Sequence, residues 1–328
     1  MSAHPHHTGR RALLLAAAAS LAAGKAQAQG WRPDRPMRMV VPFAPGGAAD
    51  TIARLIGEPL GQDLGQPVTV ENRPGGGTTI GAVAVARAAP DGQTLLYATP
   101  NVQILNPYLM RSLPYDPVAD FAPVIALMRA PKLLVVGPGF AARDVAGLLE
   151  MARRAPQPLT YASAGVASSG HLAAAMLGQM ADVELLHVPF RGTAPAAQEV
   201  MAGRVDFMMD NIATLLPLVR DGKLRALAVS TAEPAAAAPE LPTVARTLPG
   251  YHDASFNYLL APGRTPPEII ATLNATMNTV LNLPLVADRF RILGIEKLGG
   301  TPEQLAAAVR EESERWGPVI RRGGISIQ

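Results

Sequence analysis

The sequence contains no cysteine among its 328 residues. A disulfide framework, a thiolate nucleophile, a cysteine-ligated metal site and a lipid anchor on cysteine are therefore excluded. Charged residues are also few, at 17% of the chain against 48% hydrophobic residues. This balance is typical of a globular protein and not of a disordered one. The length predicts about two domains of roughly 150 residues each.

Motifs for catalysis, cofactors and metals are missing as well. The sequence has no G-x-S-x-G, no G-x-G-x-x-G and no Walker A segment, and its six histidines show no metal-ligand spacing. We therefore predict no catalytic residue, no cofactor and no metal. No later stretch approaches about eighteen consecutive apolar residues, so we expect no membrane-spanning helix in the mature chain.

The first 28 residues are predicted to be a removable signal peptide. Arg10 and Arg11 form a basic region, and Ala12–Ala23 is an apolar run too short to span a bilayer. Ala26–Ala28 then supplies a small-x-small cleavage site. The paired arginines are compatible with both twin-arginine and Sec export, so we expect a periplasmic protein.

The basic excess of the precursor belongs to this segment. The chain has 29 basic and 26 acidic residues, a formal net charge of +3. Arg10, Arg11 and Lys25 all lie in the predicted signal peptide, which has no acidic residue, so the rest of the chain carries no formal net charge. We therefore predict no nucleic-acid binding.

From Met37 onwards, short β-branched runs alternate with amphipathic helical patterns. Among them, the patterns predict a helix over Ala48–Leu64 and strands over Thr94–Ala98 and Leu133–Val136. This alternation predicts an α/β fold with mostly parallel sheets and helices on both sides. A second series of the same kind starts near Pro131. Two series joined by single extended segments predict a two-lobed protein with a ligand cleft between the lobes. We assign residues 29–130 and 231–328 to lobe one and residues 131–230 to lobe two.

Two strand–helix loops have the composition of an anion site. Val41–Asp50 (VPFAPGGAAD) joins a predicted strand to a helix through glycines, which let several N–H groups point at one spot. The helix start adds a partial positive charge. Asp50 either stabilises the helix dipole or contacts a ligand. Ser163–His171 (SAGVASSGH) is the second loop, in which the serines either cap the helix or bind a carboxylate.

A third glycine-rich segment, Glu71–Gly81, lacks the spacing of a nucleotide-binding loop and is predicted to be a packing turn.

Several segments, in the same order along the mature chain, resemble the Bug-type (TctC-like) periplasmic solute-binding receptors of tripartite tricarboxylate transporters. They are VPFAPGGAAD, VENRPGGGTTIG (70–81), PDGQTLL (90–96), LPYDPVADFAPV (113–124), SAGVASSGH, HVPFRGTAPAA (187–197), Leu224–Ser230, Leu241–Thr243 and Trp316–Ile320. The resemblance implies a type II-like two-lobed binding protein. It further implies a small carboxylate ligand (a di- or tricarboxylate, an acidic amino acid or an aromatic acid) and membrane permease subunits as partners. A monomer is expected.

The resemblance also implies that main-chain N–H groups and hydroxyls of the two loops hold the carboxylates. The residues implied are Phe43, Gly46, Gly47, Ala48 and Asp50 in lobe one, Ser163, Ala164, Gly165, Ser168 and Ser169 in lobe two, and, as weaker candidates, Thr99, Asn101 and Asp210 at other strand ends. Arg191 is either a carboxylate clamp or, as its neighbours favour, part of a structural loop. The chain departs from the family pattern at Ala235–Ala238, Arg246, Leu248 and Phe256.

Two other functions remain open from sequence. The first is a periplasmic hydrolase that uses Ser168 or Ser169 with His171. The second is a sensory ligand-binding protein that reports to a membrane kinase.

Overall fold

A computed structural model describes residues 31–327 of the chain, and the predicted signal peptide lies outside them. The strands in this part of the chain are β1 (Met37–Val41), β2 (Val68–Asn72), β3 (Thr94–Ala98), β4 (Phe121–Val136), β5 (Leu159–Ser163), β6 (Leu185–Pro189), β7 (Phe207–Asn211), β8 (Arg225–Val229), β9 (Ala254–Pro262) and β10 (Glu296–Gly299). The α-helices are α1 (Ala48–Leu64), α2 (Thr79–Ala86), α3 (Asn106–Leu109), α4 (Val145–Arg154), α5 (Ser169–Ala181), α6 (Thr193–Met201), α7 (Ile212–Arg220), α8 (Pro267–Leu281), α9 (Pro284–Ile292) and α10 (Pro302–Arg322).

The strands form two parallel groups. Strands β2, β1 and β3 are parallel neighbours in one group, and β6, β5 and β7 are parallel neighbours in the other. This confirms the α/β class that the strand–helix alternation predicts. The long antiparallel strands β4 and β9 join the two groups and make the sheet mixed.

Strand β4 is the main link between the groups. It pairs antiparallel with β9 from Phe121 to Pro131 and with β7 from Lys132 to Val136. Most of its residues are buried. The sequence analysis identified only its last four residues as a strand, and it missed β9. Both strands are buried along most of their length, so they lack the alternation of apolar and polar residues that marks a half-exposed strand.

Helix α1 follows directly from its sequence. Ile52, Ile56 and Leu60 recur at helical spacing and are fully or almost fully buried. The helix ends at Gly65, which adopts the left-handed conformation (φ 79°) and donates its N–H to Gly61 O. The predicted bounds, Ala48–Leu64, agree with the observed ones.

In residues 31–327, no single helix has the length and apolar composition needed to cross a membrane. The bent pair α8 and α9 together meets those two criteria.

Candidate ligand-binding site

A cavity of about 600 Å³ opens at the carboxyl ends of strands from both parallel groups. Its wall includes residues that directly follow β1, β3 and β5 and residues at the end of β7. This is the position where open α/β sheets bind ligands, and the volume is in the range of small-molecule sites. The predicted site residues on the wall are Phe43, Gly47, Ala48, Thr99, Asn101, Ala164, Ser168, Ser169 and Asp210.

The start of α1 presents unpaired backbone donors to this cavity. Gly47 is the N-cap residue, and no side chain caps the helix. Gly47, Ala48 and Ala49 all lie on the cavity wall. The first N–H groups of a helix have no partner within the helix, and the helix dipole makes this end partly positive. The loop therefore provides an anion-binding surface without a basic side chain.

Asp50 lies behind this loop. Its carboxylate accepts hydrogen bonds from Gly46 N (2.9 Å), Asn72 Nδ2 (3.0 Å) and Arg54 Nε (3.1 Å), and the Asn72 amide also donates to Phe43 O (3.1 Å). Hydrogen bonds from Arg54 and from Gly46 N lower the pKa of Asp50 to about 2. The ionised carboxylate holds the loop in place, and neither Asp50 nor Gly46 is on the cavity wall.

The start of α5 faces the same cavity. Ser168 is its N-cap, and the Ser168 hydroxyl accepts a hydrogen bond from His171 N at 3.4 Å. Ser168 and Ser169 line the wall together with Ala164. Two helix starts that are 121 residues apart in sequence therefore meet at one cavity, at Ala48 and Ser169.

Ser163 and Gly165 lie behind the second loop. The Ser163 hydroxyl is fully buried, donates to Gly165 O (2.9 Å) and accepts from Gly165 N (3.1 Å). Its oxygen is also 2.6 Å from His187 Nε2. Because the single hydroxyl proton is directed at Gly165 O, we assign the proton of this second contact to His187 Nε2. Both residues shape the loop from outside the cavity wall, and ligand contact by either stays a prediction.

The geometry of His171 does not fit a hydrolase. His171 Nδ1 accepts a hydrogen bond from Ala167 N (2.9 Å), and the His171 ring stacks on His187 with the ring centroids 3.7 Å apart. A catalytic base would have to accept the proton of the serine nucleophile. The bond between His171 and Ser168 instead runs from the histidine backbone N–H to the serine oxygen.

The stacked histidines predict a stability that depends on pH. Burial lowers the pKa of both His171 and His187 from 6.5 to about 4. Because the folded-state values lie below the unfolded ones, the unfolded chain binds protons first as the pH falls. We expect the pair to contribute its full stabilisation above about pH 6.5 and to lose it progressively down to about pH 4. His187 is partly exposed, so we expect a loss of about 1–2 kcal/mol.

Urea denaturation at pH 7 and pH 5 measures this loss. The variant His187→Gln, which keeps a side-chain N–H donor and removes the titrating ring, should show a shallower dependence on pH. An unchanged dependence in this variant would contradict the assignment.

Thr99 and Asp210 bring polar groups to the cavity from other strand ends. The Thr99 hydroxyl oxygen is buried and has no hydrogen-bond partner among the described residues. Asp210 is 5% exposed, and it accepts hydrogen bonds from the Thr193 hydroxyl (2.7 Å) and from Asn211 N (2.7 Å). Burial raises the pKa of Asp210. Arg191 is exposed and is not among the described residues that line the cavity.

The segment predicted to be a packing turn has two roles. Gly81 packs so closely that an added Cβ would lie 2.9 Å from Pro42 Cβ, which agrees with the prediction. Pro74, Gly75 and Thr78, however, also line the cavity. The segment therefore belongs to the site as well as to the packing.

Lys132 and Asp253 are on the cavity wall, and the sequence analysis missed both. Each is 1% exposed, and Lys132 Nζ donates to Asp253 Oδ2 at 2.6 Å. The sequence contains one indication of this pair, a single lysine within an apolar run. A lysine that is buried there requires a partner of opposite charge. The partner is 121 residues away in sequence, so spacing gives no indication of it.

Phe256, one of the positions where the sequence departs from the family pattern, points to the opposite side of β9 from its neighbours Ser255 and Asn257. Ser255 and Asn257 face the cavity, whereas Phe256 is buried beneath the Arg129 guanidinium, 5.2 Å from the ring centroid. Phe256 therefore lies behind the cavity and not on its wall.

Comparison with known proteins agrees with this geometry. Residues 52–325 match the family described as "Tripartite tricarboxylate transporter family receptor". Rpa4515 of R. palustris, solved with adipate, is 37% identical (TM-score 0.79), and the match covers 90% of this chain and 99% of that one. MatC of Rhodopseudomonas palustris, solved with bound malate, is 36% identical (TM-score 0.76; 88% and 99% covered). The periplasmic binding protein BugD is 31% identical (TM-score 0.76; 90% and 100% covered).

These relatives are solute-binding proteins with a two-lobed α/β fold, and they are not enzymes. The hydrolase hypothesis is therefore wrong, and the family implies a periplasmic location. The family match spans most of the sequence, and the cavity lies at the carboxyl ends of both strand groups. This chain therefore belongs to the tripartite tricarboxylate transporter receptor family of solute-binding proteins.

Proposed function

We propose that this protein captures a small carboxylate in the cavity and delivers it to the membrane permease of a tripartite tricarboxylate transporter. The observation that carries this proposal is the meeting of two helix starts, at Ala48 and Ser169, on one cavity of about 600 Å³. Each start supplies backbone N–H groups and a partial positive charge. A carboxylate of the ligand at one or both of them would accept hydrogen bonds from these N–H groups.

Other features of the wall support the same ligand class. The buried, unpartnered Thr99 hydroxyl is a further donor, and the Ser168 and Ser169 side chains lie close to the second helix start. The structural neighbours solved with adipate and malate hold carboxylates of a size that this cavity accommodates.

We propose two groups within the predicted site residues. Those on the wall contact the ligand directly, through N–H groups at Gly47 and Ala48 and through hydroxyls at Thr99, Ser168 and Ser169. The residues behind the wall position the loops: Gly46, Asp50, Ser163 and Gly165.

Capture also depends on the arrangement of the lobes. We propose that residues 29–130 with 231–328 and residues 131–230 form lobes that close over the ligand. Closure excludes water, and a lower local dielectric strengthens each N–H contact to the carboxylate. Micromolar affinity requires about −8 kcal/mol, which two satisfied carboxylates and closure would supply.

Ligand addition is expected to raise the thermal midpoint of the purified protein. A ligand present at about 100 times its Kd stabilises the folded state by about 2.7 kcal/mol, which corresponds to a rise of about 5 °C for a chain of this size. The measurement is a thermal-shift panel of mono-, di- and tricarboxylates and amino acids at neutral pH.

The matched control for each dicarboxylate is its diamide, which keeps the length and removes the charge. We expect no shift with the diamides. If no acid in the panel shifts the midpoint of the folded protein, or if the diamides shift it equally, the carboxylate proposal is wrong.

A further inference from the structure

The charges on the cavity wall are unusual for a receptor of anions. Among the described residues that line the cavity, the charged side chains are Lys132, Asp210 and Asp253. One cation and two carboxylates therefore surround a space that we propose to receive an acid.

The single cation is already part of an ion pair. Lys132 Nζ donates to Asp253 Oδ2 at 2.6 Å, and both residues are 1% exposed. In the low dielectric of the interior the two charges compensate each other. Asp210 is the carboxylate on the wall that forms no ion pair with a described residue, and the Lys132 charge acts on it only from beyond ion-pair distance.

Asp210 has unused capacity to accept hydrogen bonds. Its Oδ2 accepts from the Thr193 hydroxyl at 2.7 Å, and its Oδ1 accepts from Asn211 N at 2.7 Å. A carboxylate offers about four lone-pair sites, so each oxygen has room for a second donor. Asp210 is 5% exposed and lies on the cavity wall.

The cavity therefore has two chemically different parts. The helix starts at Ala48 and Ser169 present N–H donors, which suit an anion. Asp210 presents an acceptor, and a second anion placed there would meet a like charge. A donor on the ligand would instead form a charge-assisted hydrogen bond with Asp210.

We propose that the ligand is a small acid that also carries a hydrogen-bond donor, an ammonium or a hydroxyl group, which it gives to Asp210 while its carboxylate binds the helix starts. This inference rests on the proposed function and narrows it to amino acids and hydroxy acids. The ammonium is favoured, because it also neutralises the unpaired charge. Acids of the same length that lack a donor bind more weakly.

Succinate, malate and aspartate test this proposal, because they share a four-carbon skeleton and differ in carrying no donor, a hydroxyl or an ammonium. Glutarate, 2-hydroxyglutarate and glutamate repeat the comparison with one more carbon. By isothermal titration calorimetry at pH 7, we expect the donor-bearing acids of at least one series to bind about 10- to 100-fold more tightly than the donor-free acid. In Asp210→Asn this preference should fall to less than about threefold.

The matched control variant is Asp144→Asn. It removes the same charge from an exposed helix cap, where asparagine caps equally well, and it should keep the wild-type preference.

A second measurement needs no variant. Titration in two buffers of different ionisation enthalpy should show that a donor-free dicarboxylate takes up about one proton on binding, since Asp210 must then be neutralised, whereas the amino acid takes up none.

The outcomes separate this inference from the proposed function. Equal or tighter binding of the donor-free acids, or an unchanged preference in Asp210→Asn, overturns the inference while carboxylate capture stands. Failure of every acid, with or without a donor, to bind the folded wild-type protein overturns both.

Discussion

Replacing Lys132 with methionine is expected to lower the free energy of unfolding by about 3–5 kcal/mol. The substitution leaves Asp253 as a buried carboxylate without its cation, and removal of one partner of a buried ion pair is strongly destabilising. The pair also lies at a junction of three chain segments. Ser230 Oγ accepts from Lys132 N (2.8 Å) and donates to Asp253 O (2.6 Å). We therefore expect the substitution to destabilise the part of β4 around Pro131 and Lys132, where its antiparallel partner changes from β9 to β7.

The double variant Lys132→Met/Asp253→Leu distinguishes the lost charge from lost packing. Because it removes both charges and keeps apolar volume, we expect it to recover at least about 2 kcal/mol relative to the single variant. Urea denaturation with unchanged m-values is the measurement. The control is Arg154→Met, which breaks the exposed Arg154–Glu150 pair and should change stability by less than about 0.5 kcal/mol. If Lys132→Met lowers the free energy of unfolding by less than about 1 kcal/mol, the ion pair does not provide the predicted stabilisation.

The second large effect is expected for Gly170→Ala at the start of α5. A Cβ at Gly170 would lie 2.2 Å from Met209 O, a backbone atom of β7 that cannot move aside as a side chain does. The helix start must shift away from β7, and we expect a loss of about 2–4 kcal/mol. In an ordinary helix position the same substitution would stabilise by about 0.5–1 kcal/mol. A loss of stability in Gly170→Ala, where a gain is usual, would therefore show that α5 and β7 lie too close together at this position for a Cβ.

Displacement of this helix start should also weaken the binding of the ligand. Ser168 and Ser169 precede Gly170 and line the cavity, so we expect a smaller ligand-induced rise of the thermal midpoint in Gly170→Ala. The matched control for stability is Gly47→Ala at the other helix start. There the nearest atom to an added Cβ is Ala44 O, 3.8 Å away, and stability should change by less than about 1 kcal/mol. Equal effects of the two substitutions would show that the contact with Met209 is not limiting.

Much of the fold could be predicted from local sequence. The 17 residues of α1 were bounded correctly, because an apolar stripe ends at a glycine that can adopt positive φ. Strand β3 was bounded correctly by its flanking turns. The long strands β4 and β9 could not be predicted in full, because a strand that is buried on both faces has no alternation to read, and β4 contains Pro123 and Pro131.

The candidate site divides in the same way. The glycine- and serine-rich loops identified the two helix starts, because a turn of that composition before a helix has a local physical meaning. Sequence left open what Asp50 does. In the fold its carboxylate binds Gly46 N, Asn72 and Arg54 and holds the loop.

The sequence by itself determined the alternation of strands and helices, the bounds of α1 and β3, the composition of both binding loops and the family resemblance. These depend on residues within a few positions of each other. Only the tertiary structure decided that Ala48 and Ser169 face one cavity, that Asp210 lies there without an ion-pair partner in residues 31–327, and that Lys132 contacts Asp253. Those contacts depend on the order in which the strands pair, and pairing across more than a hundred residues leaves no periodic pattern in the chain.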